Sequence, residues 1–154
     1  MRVDFRTAEP ERPPASELIA EMVAEMNELY GDIEFPGMPS ATPADFAPPG
    51  GAFLVGFAEG EPVCSGGIKR LDDEAAEIKR MYVVPTARRR GVARQLLEAL
   101  EDAAYDRGYR VVRLDTGPRQ QHAMALYASA GYAEIGNFNA NPIAAYWGEK
   151  RLRG

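Results

Sequence analysis

Residues 76–107 read AEIKRMYVVPTARRRGVARQLLEALEDAAYDR, and within them the apolar pattern changes from a strand-like run to a helical one. The run ending in Met81, Tyr82, Val83 and Val84 stops at Pro85, which cannot donate to a sheet ladder. Val92, Leu96, Leu97, Leu100, Ala103 and Ala104 then recur at three- and four-residue spacings, and Gly108 closes the pattern. A strand that feeds a helix through a short glycine-bearing turn commits this half of the chain to an α/β arrangement.

The flanking segments extend that reading. VDFRTA alternates as a first strand, and Leu18, Ile19, Met22, Val23, Met26 and Leu29 form one stripe of a helix from Ser16, its expected N-cap, to Tyr30. Residues 31–51 hold five prolines and four glycines, so they form a long loop, either a substrate lid or a passive connector, with a short helical turn at Asp45 and Phe46. GAFLVGFAEGEPVCSGGIKRL reads as a hairpin turning at EGEP. YRVVRLDT is a central strand, QQHAMALYASA a second crossover helix ended by Gly131, and YAEIGNF and AAYWGEKRL two last strands. The expected whole is one α/β domain over residues 1–154, with a mixed sheet.

Composition narrows the function classes. The formal net charge of −5 argues against a surface devoted to nucleic acid or anionic lipid. Cys64 is the single cysteine, read as a small buried strand residue, which suits a reducing compartment. No apolar stretch approaches a membrane span, and the protein is expected to be cytoplasmic.

Against this acidic background, six of the 18 basic residues fall between Lys79 and Arg94, with no Asp or Glu among them. They surround the start of the helix at Gly91, where unpaired N–H groups and the helix dipole favour an anion. Gly91 and Ala93 leave room for close approach, and arginine adds forked donors. A pyrophosphate fits these features; a solvated basic helix start is the plainer reading. Neither a P-loop nor a dinucleotide-binding glycine fingerprint is present.

RRRGVA, Arg88 to Ala93, resembles the Arg/Gln-x-x-Gly-x-Gly/Ala motif of the GNAT N-acetyltransferases. The likeness runs from AEIKRMYVVP through RLDT to ALYASAGY, from Ala76 to the C-terminus. It implies a mostly antiparallel sheet splayed in a V between its two middle strands by a β-bulge, with helices on both faces. It also implies that acetyl-CoA binds in the V, with no metal. The backbone of Met81, Tyr82 and Val83 would then pair with the pantetheine arm, and Arg88, Arg89, Arg90, Gly91, Val92 and Ala93 would hold the pyrophosphate. Tyr127 would protonate the departing thiolate, although a tyrosine on an apolar helix face also fits core packing. Gln120 stands where many members have an asparagine.

The implied reaction is attack of a primary amine, on a small molecule or peptide, on the thioester, and such an amine must lose a proton. Glu77 matches the position of a glutamate base in histone-acetylating relatives. Alternation puts Glu77 with Met81 on one strand face and Ile78 with Tyr82 on the other. His122 is the second choice of base, and Asp115 ends a strand beside the cleft. Tyr30, Asp32, Glu34 and Phe35 place acidic and aromatic groups near the mouth, and Asn139, Asn141, Tyr146 or Trp147 could line the acceptor side. A homodimer is expected by the resemblance. The alternative to an enzyme is a silent acyl-CoA-binding or sensing module.

Overall fold

The computed structural model describes residues 1–31, 41–118 and 120–153. Strand β1 (Asp4–Thr7) leads to helix α1 (Ala15–Tyr30). A 3-10 turn at Pro43–Phe46 precedes β2 (Ala52–Ala58), β3 (Glu61–Arg70) and β4 (Ala75–Val83). A second 3-10 turn, Pro85–Ala87, carries the chain into α2 (Val92–Asp106) and β5 (Val111–Thr116). Helix α3 (Gln121–Ser129), β6 (Ala133–Glu134) and β7 (Tyr146–Arg151) complete the described order. The seven strands form one sheet, β1-β2-β3-β4-β5-β7-β6. Every neighbouring pair is antiparallel except β4 and β5, which a helical crossover makes parallel.

Apolar faces seal both sides of the sheet. Val92, Leu96, Leu97 and Leu100 of α2 are at most 1 % exposed, packed on Ile68, Ile78, Val112 and Leu114. Each such side chain contributes roughly 1.5–3 kcal/mol as an upper estimate. The other face is thinner: Ala15 and Leu18 of α1 join Phe46, Phe53, Val55 and Tyr82. Phe46 reaches this face because Gly67 of β3 has no Cβ, which would lie 2.5 Å from the ring.

The V-shaped sheet expected from the motif has a local cause. Ser65 pairs with Tyr82 and Gly67 with Lys79, so Gly66 alone opposes Arg80 and Met81. This is a β-bulge, with Arg80 at φ 59°. The extra residue overturns the simple alternation. Ile78 and Met81 pack together in the cluster under α2, while Tyr82 packs under α1, so Glu77 shares the face of Tyr82 rather than that of Met81.

Two further expectations need correction. Helix α1 starts at Ala15 behind Pro14, and the amide of Ser16 already bonds Arg12 O at 3.0 Å, so Ser16 lies inside the helix and caps nothing. Strand β6 keeps only Ala133 and Glu134 of the expected YAEIGNF. Asn137 Oδ1 accepts the amides of Asn139 and Ala140 at 3.2 and 2.7 Å, a side-chain turn that replaces the ladder.

Candidate active site

Strands β4 and β5 pair only at Ala75–Val111, Ala76–Val112 and Glu77–Arg113. Beyond Glu77 they separate, and the freed strand edges need other partners. Val84 N bonds Val63 O, so Val83 one residue earlier turns its own N–H and C=O toward the gap. A cavity of about 620 Å³ opens there, lined by Met81, Val83, Arg89, Gly91, Ala93 and Tyr127 among others.

The turn between β4 and α2 forms the polar end of this cavity. Arg89 has φ 66° and Gly91 φ 77°, while Arg88 and Arg90 stay outside the left-handed region. Such alternation turns successive N–H groups toward one side, a concave seat for an anion. No side chain caps α2, and among the described residues no acceptor takes the amides of Arg89, Arg90, Gly91, Val92 or Ala93. Arg88 is different. Its amide bonds Pro85 O at 3.3 Å, its Nε bonds Val83 O at 2.9 Å, and its guanidinium pairs with Glu25 of α1 over the ring of Tyr82. Arg88 therefore braces the turn and withholds its amide from the expected anion set. Arg90 is exposed and does not line the cavity.

A second, smaller cavity of about 220 Å³ lies on the α1 side. Met22, Val23 and Met26 wall it from α1, Lys79 and Arg80 from β4, and Asp115 from β5. The two cavities share Met81, Gln120 and Tyr127. Tyr127 is 6 % exposed, its ring packs against Tyr132 and Tyr146, and its hydroxyl meets Met81 Sδ at 3.8 Å. Burial, then the nearby Asp115 charge, pushes its pKa up, so the phenol is a donor throughout the neutral range. Gln120 Oε1 accepts from Thr116 Oγ1 and Gly117 N at 3.1 Å each, and from Tyr30 Oη at 3.4 Å.

Behind the smaller cavity, one amide joins two carboxylates. Asn139 Nδ2 donates to Glu77 Oε2 at 2.9 Å and to Asp115 Oδ2 at 2.6 Å. Trp147 Nε1, which can only donate, takes Asn139 Oδ1 at 3.1 Å and so fixes which end of the amide faces the acids. Asn141 Nδ2 adds a bond to Asp115 Oδ2 at 3.0 Å. Glu77 is 2 % exposed, 3.4 Å from Lys79 Nζ, and lines neither cavity. Asp115 lines the smaller one.

The structure thus gathers Tyr127, Gln120 and Met81 at the junction, and Glu77, Asp115 and Asn139 beside it. Val83, Arg88, Arg89, Gly91, Val92 and Ala93 line the larger cavity with Tyr82. His122 lines that larger cavity, away from Asp115. Asp32, Glu34 and Phe35 lie outside the described residues, as does the rest of 32–40. Sequence reading missed Met22, Val23 and Met26 as cavity wall, because their helical stripe looks like ordinary core. The methionines in that stripe were the available signal. Among the described residues no cluster of His, Cys, Asp or Glu could hold a metal, and no helix is long and apolar enough to cross a membrane.

Comparison with known proteins bears on this geometry. The sequence profile of the acetyltransferase (GNAT) family matches residues 17–132. The chain is 34 % identical over 129 residues to an IAA acetyltransferase of Azospirillum brasilense, covering 81 % of this chain and 83 % of that protein. A solved structure from Klebsiella pneumoniae, described as an acyl-CoA N-acyltransferase, superposes with a TM-score of 0.79 at 28 % identity, over 98 % of each chain. A GNAT acetyltransferase from Elizabethkingia anophelis, solved with acetyl-CoA bound, shares the fold with a TM-score of 0.69 at 15 % identity, over 97 % of this chain and 98 % of that one.

Proposed function

The chain belongs to the acetyltransferase (GNAT) family of acyltransferases, and from that premise we propose that it moves the acetyl group of acetyl-CoA to a primary amine by direct attack in a ternary complex. The observation that carries this reading is the meeting of the two cavities at Met81, Gln120 and Tyr127. One cavity has the amide-lined turn and the edge of β4 at Val83 N–H that a pyrophosphate and a pantetheine amide arm require. The other has a carboxylate, and a reaction between their occupants would take place beside the Tyr127 hydroxyl.

The residues present fit acetyl-CoA. The amides of Arg89, Gly91, Val92 and Ala93 would hold its pyrophosphate, with Arg89 and Arg94 adding charge, and Met81 to Val83 would hold its arm. Acetyl-CoA supplies an acetyl thioester, whose C–S bond breaks as the acceptor's C–N bond forms. The acceptor ammonium gives up two protons. Asp115, joined to Glu77 through Asn139, faces the ammonium, and this carboxylate pair takes one proton. The other proton ends on the thiol, with the Tyr127 O–H as donor. Holding both reactants in adjoining cavities supplies a further large factor by proximity.

Isothermal titration with acetyl-CoA tests the first half of the reading, and absence of heat up to millimolar cofactor rejects it. An amine panel read by thiol release tests the second. Saturable acetyl-CoA binding with no turnover over a broad panel would favour the silent sensing module.

A further inference from the structure

The side-chain amide of Gln120 is pinned at one end and open at the other. Its Oε1 takes Thr116 Oγ1 and Gly117 N at 3.1 Å each, and Tyr30 Oη at 3.4 Å. A backbone N–H can only donate, so the Gly117 contact fixes the oxygen at that end of the amide. Tyr30 comes this close because Gly117 has no Cβ, which would collide with the phenol oxygen. The backbone is held as well, since Gln120 N bonds Gly117 O at 3.2 Å. The nitrogen, Nε2, carries two N–H groups, and among the described residues no acceptor takes either. It is not buried: the one buried side-chain atom left without a partner among the described residues is Ser65 Oγ. Gln120 lines both cavities, so Nε2 is a free donor at their junction. Three donors on Oε1 draw electron density from the amide and make its N–H groups better donors.

Acetyl transfer at that junction needs such a group. As the acceptor's C–N bond forms, the thioester carbonyl oxygen takes up negative charge. It returns that charge as the C–S bond breaks and the electron pair leaves on sulfur. Of the three side chains shared by the cavities, Met81 has no hydrogen to donate, and the Tyr127 O–H serves the departing sulfur. Gln120 Nε2 is the remaining side-chain donor. We propose that Gln120 is a catalytic residue whose Nε2 donates to the acyl carbonyl oxygen and holds the charge that develops there. This rests on the acetyl-transfer reading above and adds an electrophilic group to it. A donor aimed at developing charge contributes more to rate than to affinity, which separates this role from a simple grip on the cofactor.

Infrared difference spectra of acetyl-CoA, isotope-labelled at its carbonyl carbon and bound to the intact protein, read the contact without an acceptor. Gln120→Met, uncharged and of similar length, is expected to move the carbonyl band to higher frequency than in the parent. Turnover of the best amine from the panel, read by thiol release, is expected to fall in kcat by about 10²–10³-fold, the range for one lost donor to a developing oxyanion. Calorimetric affinity for acetyl-CoA is expected to fall by no more than about tenfold, the most that one neutral hydrogen bond contributes. Should Gln120→Met not fold, Gln120→Glu keeps an oxygen for Thr116, Gly117 and Tyr30, removes both N–H groups and is read in the same way. An unmoved band overturns the proposal, as does a loss of kcat no larger than the loss of affinity. Failure of the parent to bind acetyl-CoA, or to acetylate any amine of the panel, overturns instead the reading on which it rests.

Discussion

Replacing Tyr127 with phenylalanine separates catalysis from packing. The ring is buried against Tyr132 and Tyr146, with centroids 5.8 and 6.2 Å away, and phenylalanine keeps both contacts. The hydroxyl's one contact among the described residues is the thioether of Met81 at 3.8 Å, a weak acceptor. A buried hydroxyl without a good partner costs about 1–3 kcal/mol, so its removal is expected to leave stability unchanged or raise it by about 1 kcal/mol. For a chain of this size that is a rise in Tm of about 2–4 °C. Activity moves the other way. A positioned proton donor contributes about 10²–10⁴-fold, and kcat is expected to fall by at least about 10² while calorimetric affinity for acetyl-CoA holds. Alkaline stability supplies a second readout. The folded pKa of Tyr127 lies above its unfolded value near 10, so the associated stability is complete below about pH 10 and declines as pH rises beyond it. Tyr127→Phe removes that decline, and the variant gains on the parent above pH 10. Wild-type turnover in a stably folded variant would refute the proton-donor role, and a large loss of stability would refute the packing argument.

Four other perturbations follow from the same structure. Gly91→Ala keeps open space around its new Cβ but forces a side chain onto φ 77°, so it is expected to cost about 1–2 kcal/mol in urea unfolding and to weaken acetyl-CoA binding. Asn139→Leu leaves the buried Glu77 and the half-buried Asp115 without their shared donor, which is expected to lower stability by about 1–3 kcal/mol. Trp147→Phe, which removes the bond orienting Asn139 and trims a half-buried indole but leaves the donor to both acids in place, should cost less in the same urea titration. Burial pushes the Cys64 thiol up to about 12, so alkylation at pH 8 should be negligible in the folded protein and prompt in denaturant.

The fold was legible where local chemistry is self-sufficient. Pro85, Gly91 and the leucine stripe of α2 each act through their own backbone or their own helix face, and the structure places that strand, turn and helix as expected. The motif at Arg88–Ala93 led to the amide-lined turn for the same reason. The bulge was legible only through the family likeness, and its position was not, because it depends on the register between β3 and β4. One residue there reverses the faces of Met81 and Tyr82 relative to Glu77. The ion pair of Arg88 was not legible, because sequence shows its charge but not Glu25, which lies on α1 and 63 residues away. The Asn139 clamp was half visible. Its asparagines announced turns, but nothing in the spacing shows that they deliver one amide between carboxylates from β4 and β5.

The short seam between β4 and β5 has a mechanical consequence. Backbone bonding joins the two halves of the sheet along three rungs only. What otherwise keeps the halves at a set distance is the Asn139 amide between Glu77 and Asp115, and the apolar cluster around α2, which takes in residues of both β4 and β5. Core packing in this protein is thus also a gauge for the width of the opening. Trimming Leu96 or Leu100 would slacken the grip on whatever lies in the gap, although neither leucine lines it.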